Sequence, residues 1–179
     1  AWSYLSWIHW LQGNEAEALR LSRAAVDHAR RLEHPLTLSF ALSFAAWLRI
    51  YQHEATEARA FTDEVLELCT LYGIEVFLAH GRVLDAWLKC DSEGGAAALD
   101  GMSAAIGYFR SLGARCFLPL WEARRAMAAA EVGNRACAEE ALGCAVADRD
   151  ASGEVWAESE VERARASVLR LQGAAAAEV

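Results

Sequence analysis

The chain has 179 residues, of which 55% are hydrophobic and 23% charged, and its formal net charge is -8. That apolar content supports a sizeable core and excludes a disordered chain. The acidic balance repels phosphate backbones and anionic headgroups, so neither nucleic acid nor a membrane surface is an expected partner.

Alanine, the best helix former, is the commonest residue, and prolines are limited to Pro35 and Pro119. The opening AWSYLSWIHWLQG predicts a helix over about 1–12 that Gly13 stops, and Asn14 suits the start of a second over about 15–32. Beyond Pro35 the apolar run predicts a helix near 36–52, with a turn at His53 and a partner helix near 54–72 that ends at Gly73. The pattern repeats with helices near 75–90 and 95–112, separated by the Glu93–Gly95 stretch and closed by Gly113. It repeats again near 115–132 and 135–150, with Gly133 and Asn134 between them and Gly153 after. A last helix near 155–172 ends at Gly173. Apolar residues recur at steps of three and four, as in Leu19, Val26 and Ala29 or Phe61, Val65, Leu68 and Leu71, and strand alternation is absent.

These nine helices keep a forty-residue clock. Ala18, Ala58, Ala98 and Ala138 are forty apart, as are Ser6, Ala46, Ala86 and Ala126, and Ala25, Val65, Ala105 and Ala145 follow the same step. Two helices cross at short distance only where side chains are small, so these registers mark the crossing points. The reading is all-α: an α-solenoid of antiparallel helix hairpins in one domain over 1–179. Its repeats run over about 1–33, 34–73, 74–113 and 114–153, with a terminal capping helix over 154–173. Starting at Ala1 inside a periodic stretch, the chain reads as a fragment of a longer protein.

The pattern resembles the tetratricopeptide repeat. In the first repeat Trp2, Leu5, Ser6, His9, Gly13, Ala18 and Ala25 fall on that repeat's positions in order, with His9 in place of the usual aromatic. Later repeats keep the small residues and lose the large ones, carrying Leu42 and Ala45, then Arg82 and Asp85, then Glu122 and Arg125. The period also exceeds that of the standard repeat. The phrases HPLTLSFALSFAAWLRIYQ, LYGIEVFLAHGRVLDAWLKC and WAESEVERARASVLRLQG are similar to the C-terminal repeat regions of bacterial cyclase-linked and LuxR-type signalling ATPases. The resemblance implies a right-handed superhelix that binds proteins or small effectors and relays the event to an attached domain.

Trp7, Trp47 and Trp87, continued by Met127, form a ladder at the same forty-residue step. On the tetratricopeptide alignment these positions map to the inner, concave face, together with Ser3, Trp10, Phe40, Ser43, Ile50, Tyr51, His80, Val83 and Leu120. Two readings stay open: a groove accepting a peptide or helix, or ordinary core between repeats. Closure of the same face by a second copy would make it a homodimer interface.

Chemistry finds little foothold. The five histidines contain no HExxH and no pair four apart, which gives no metal site, and the glycines at 94, 95, 101 and 107 form no phosphate loop. Cys69, Cys90, Cys116, Cys137 and Cys144 are odd in number, lack CxxC spacing and sit among apolar and small residues, which suits buried thiols in a reducing cytoplasm. Glu154, Glu158, Glu160 and Glu162 alternate with Arg163, Arg165 and Arg170 as a solvated capping helix does, acid first and base last. No apolar run is long enough to span a bilayer. The expectation is a cytoplasmic, non-catalytic regulatory scaffold without cofactor or metal that binds a protein or peptide, its own parent chain included. The alternatives are an apolar-effector sensor in a bacterial signalling regulator and a homo-oligomerisation segment.

Overall fold

The computed structural model describes the backbone of residues 1–177 and the side chains through residue 173. Among them the chain forms nine α-helices: α1 (Trp2–Leu11), α2 (Glu15–Arg31), α3 (Pro35–Tyr51), α4 (Ala55–Tyr72), α5 (Glu75–Ser92), α6 (Gly95–Ser111), α7 (Leu118–Glu131), α8 (Arg135–Ser152) and α9 (Glu158–Ala177). A single 3-10 turn, Val155–Ala157, precedes α9, and no strand occurs among the described residues. The chain divides into two compact units, Ala1–Leu88 and Lys89–Val179. In the first, α1 packs on α2, α2 on α3 and α3 on α4, with α1 also reaching α3. In the second, α6 packs on α7, α7 on α8 and α8 on α9, with α7 also reaching α9.

Helix ends follow a twenty-residue clock set by backbone geometry. Gly13, Glu33, His53 and Gly73 all take positive φ, as do Gly113, Gly133 and Gly153. The left-handed conformation closes each helix and lets the chain reverse. Glu33 and His53 adopt it without being glycine, at φ 51° and 59°, so only His53 of this pair was visible as a break, and only through the spacing of its neighbours. Gly173 differs from the sequence reading. It lies within α9, which continues to Ala177, and a Cβ placed on it would meet nothing within 4 Å. A helical glycine costs about 1 kcal/mol relative to alanine, too little to stop a helix that runs on into alanines.

Local caps explain the other boundaries. Pro35 opens α3, where its missing N–H costs nothing, and His34 Nδ1 accepts the Thr37 N–H at 3.3 Å. Asn134 Oδ1 accepts the Cys137 N–H at 3.2 Å and so caps α8 as its sequence position suggested. Asn14 instead turns its amide toward His9 Nδ1 at 3.5 Å. α7 begins at Leu118 rather than near 115 because Phe117 sits at φ 68° and Pro119 lies in the first turn. Glu154 holds that bend by accepting the Phe117 N–H at 3.0 Å.

All three small-residue registers are buried: Ala18, Ala58, Ala98 and Ala138; Ser6, Ala46, Ala86 and Ala126; Ala25, Val65, Ala105 and Ala145. Burial at every one of these positions is what the crossing-point argument requires. Gly81 shows the same constraint at its limit, since a Cβ there would lie 3.0 Å from Val65 Cγ1 and 3.1 Å from Leu66 Cδ2. The α4–α5 contact has no room for alanine without movement. α7 is the central helix of the second unit, with every residue from Leu118 to Ala129 buried except Arg124.

Candidate functional site

The aromatic ladder lies inside the first unit. Trp47 is fully buried and Trp7 nearly so, and their rings stack with centroids 4.0 Å apart and planes 25° from parallel. Tyr51 closes on Trp7 at 5.2 Å and on Trp87 at 5.5 Å, and His80 meets the Trp47 ring edge-on at 6.3 Å. Ser3, Ser43, Ile50, His80, Val83 and Trp87 are buried as well, while Trp10, Phe40 and Tyr51 are half-buried. In the second unit Met127 and Leu120 are buried on α7. The rings fill the space between α1, α3 and α5 with one another. Burial pushes the His80 imidazole down to about 4, so it is neutral at physiological pH.

An apolar surface of the first unit lies beside the ladder, on residues the sequence analysis did not assign to a binding face. Tyr4, Leu5, Ile8 and Leu11 of α1 are each between 42% and 52% exposed. α1 carries no Asp, Glu, Lys or Arg, and its buried side holds Ser3, Ser6 and Trp7 while these four apolar side chains lie partly in water. Tyr4 also starts a half-exposed aromatic row, 5.5 Å from Phe40, which in turn lies 5.8 Å from Phe77. Repeat equivalence could have revealed this face. Ala41, Ala45 and Leu48 of α3 match Ala1, Leu5 and Ile8 by the forty-residue step and are buried, with Ala41 and Ala45 in one cluster with Ala25, Val26 and Ala29 of α2.

The second unit holds a cleft of about 410 Å³ between α6 and α8, floored by α7. Its centre is a charge network. Arg125 donates Nε–H to Glu122 Oε2 at 2.8 Å, and its two η nitrogens reach Ser103 Oγ at 3.2 Å and Glu140 Oε1 at 3.4 Å. Arg110 donates to both oxygens of Asp148 at 2.8 Å and to Glu122 Oε1 at 3.1 Å. Glu122 and Arg125 are buried, and two charges removed from water in this way persist only when paired. Asp148 holds the Arg110 guanidinium protonated even more firmly than usual. The sequence carried a signal for this site: Glu122 and Arg125 stand where the second repeat has Leu42 and Ala45. Their partners on other helices, Arg110 and Ser103 on α6 and Glu140 on α8, carry no such signal in the sequence.

The five cysteines are free thiols. Cys69 and Cys90 are buried and Cys137 and Cys144 half-buried, and desolvation raises all four, Cys90 to about 11. A thiol above its ordinary value is a weaker nucleophile at neutral pH. Cys116 departs from the sequence reading. It is exposed in the segment before α7, where the chain is held by the Phe117 bend rather than by helix packing. No group of three or more His, Cys, Asp or Glu side chains that could hold a metal occurs among the described residues, and no described helix is long and apolar enough to cross a membrane.

The geometry defines an all-α chain of repeated helix pairs packed in sequence order. No protein-family model matches the sequence, and no curated protein does either.

Proposed function

We propose that this chain is a non-catalytic protein-interaction module, a right-handed solenoid of tetratricopeptide-like hairpins working in a reducing cytoplasm, whose partner is an amphipathic helix of another protein or of its own parent chain. The observation that carries the reading is the uncharged α1 helix with Tyr4, Leu5, Ile8 and Leu11 in water. Contiguous exposed apolar surface of this kind marks an interaction face. The repeat supplies the occupant's character, because Ala45, the α3 residue equivalent to Leu5, clusters with Ala25, Val26 and Ala29 of α2 as well as with Val65 and Cys69 of α4. A helix with a similar small-residue seam suits α1 in the same way.

A regulatory role belongs to the same proposal, in which binding at this surface is relayed to the chain that carries the module. Catalysis has little support: desolvation raises the thiols above their ordinary value, and the carboxylates Glu122 and Asp148 are already engaged by guanidinium groups. A small apolar effector has less support than a helix. The cavity in the first unit under Trp2, His28 and Phe40 is about 250 Å³, below the usual range of small-molecule sites, and the ladder leaves its own interior filled.

A labelled peptide of residues 15–31, the α2 sequence, tests the reading as a model partner helix. Saturable binding to the full chain is expected, and the double substitution Leu5→Glu and Ile8→Glu should abolish it without loss of helical circular dichroism. Two results would overturn it: no binding, or concentration-dependent dimerisation that the same substitutions remove, which would assign the face to a second copy.

A further inference from the structure

We propose that the cleft between α6 and α8 receives a cationic group on an aliphatic stem, a guanidinium or an ammonium, with Glu140 as its carboxylate partner. The inference uses residues that the helix-binding reading does not, so neither test decides the other.

Charge balance gives the sign of the ligand. The cleft presents three carboxylates, Glu122, Glu140 and Asp148, against two guanidiniums, Arg110 and Arg125. Glu122 takes one N–H from each arginine, and Asp148 takes two from Arg110, all at 2.8 to 3.1 Å. Glu140 is different. Its side chain is 67% exposed, and its one hydrogen bond, to Arg125, is 3.4 Å long, at the weak end of hydrogen-bond geometry. The negative charge left over therefore sits at the mouth, on the carboxylate least committed to the network. An anion would find the arginine donors already engaged and would add to an acidic excess, whereas a cation completes the pairing.

Shape gives the stem. Gly107 faces the cleft, and a Cβ built on it would meet nothing within 4 Å. Cys144 and Ala147 line the wall on α8 with small side chains. The result is a narrow apolar side and a charged floor, which is how proteins accommodate the methylenes of arginine or lysine while engaging the head group. The buried Glu122–Arg125 pair fixes the floor before any ligand arrives, so little ordering is needed on binding. At least two sources carry this chemistry: a basic side chain of a partner protein, and a free polyamine.

The test is a two-dimensional NMR titration of the full chain with Nα-acetyl-arginine amide, carried to about 10 mM so that a Kd near 1 mM would saturate. Saturating shifts confined to amides of α6, α7 and α8 are expected. The isosteric acetyl-citrulline amide, which lacks the charge, should produce none. Glu140→Gln should weaken binding roughly tenfold, the scale of one charge-assisted hydrogen bond. Gly107→Leu fills open space on an exposed helix face, so it should keep the fold and remove binding. Spermidine is the second arm: tighter binding than the arginine amide supports the proposal with a polyamine as source, and weaker binding supports it with a protein side chain. Absence of shifts at the top concentration overturns it, as do equal affinity for citrulline, an unchanged affinity in Glu140→Gln, and preference for acetyl-glutamate.

Discussion

Trp47→Ala separates the two meanings of the aromatic ladder. Trp47 is fully buried, stacked on Trp7 at 4.0 Å and edged by Phe44 at 5.8 Å and His80 at 6.3 Å. A buried tryptophan removes roughly 200 Å² from water, which at about 25 cal/mol per Å² approaches 5 kcal/mol. Measured truncations of large buried aromatics cost about 3–5 kcal/mol, and the lost ring stacking contributes about 1 kcal/mol of that. Stability of a domain is typically about 5–15 kcal/mol, so the variant should retain a fold with its unfolding midpoint strongly lowered. Urea unfolding followed by far-ultraviolet circular dichroism measures this, with the m-value as a check that compactness is unchanged. Trp7→Ala and the double variant complete a cycle, whose coupling should be about 1 kcal/mol if the rings support each other. A loss below about 1 kcal/mol for Trp47→Ala, together with loss of partner binding, would refute the reasoning and make the ladder a binding face.

The other expectations concern pH and turns. His80 is buried with its pKa lowered to about 4, against an ordinary value of 6.5. The unfolded chain therefore takes up a proton below pH 6.5 that the folded chain refuses until about pH 4, and stability falls as pH drops through that window. From pH 7.5 to pH 5 the loss should be on the order of 2 kcal/mol; His80→Leu should remove that part of the pH dependence, and identical pH profiles for the two proteins would contradict the assignment. At the turns, Gly73 stands at φ 65° and His53 at φ 59°. Gly73→Ala should cost about 1 kcal/mol or more, whereas His53→Gly should be neutral or stabilising by up to about 1 kcal/mol; thermal melts showing no difference between the two substitutions would remove the turn argument.

The fold was legible because its determinants are local and periodic. Alanine at 18, 58, 98 and 138 and glycine at 13, 73, 113, 133 and 153 act on the backbone or on a single crossing point, and each effect can be inferred without knowing the neighbours. Glu33 escaped notice because its conformation is imposed by the chain reversal rather than by its own chemistry, and Gly173 misled because a glycine permits a break without requiring one. Sites are a different problem. Periodicity placed Trp7 and Trp47 on one face, but whether that face is open depends on what its own rings do to each other, and stacking at 4.0 Å leaves no width for a guest. The exposed side of α1 is subject to the same limit, since Leu5 and Ile8 have the apolar character of core residues. For the cleft, alignment with Leu42 and Ala45 makes Glu122 and Arg125 look like erosion of a repeat motif, because Arg110 and Glu140, which pair with them, lie elsewhere in the repeat. Two charges placed on the buried face of a central helix are too costly to be neutral drift unless partners are supplied from elsewhere. A charged pair that breaks an apolar register therefore points to polar partners on adjacent helices, and Arg110 beside Glu122 and Glu140 beside Arg125 occupy those places.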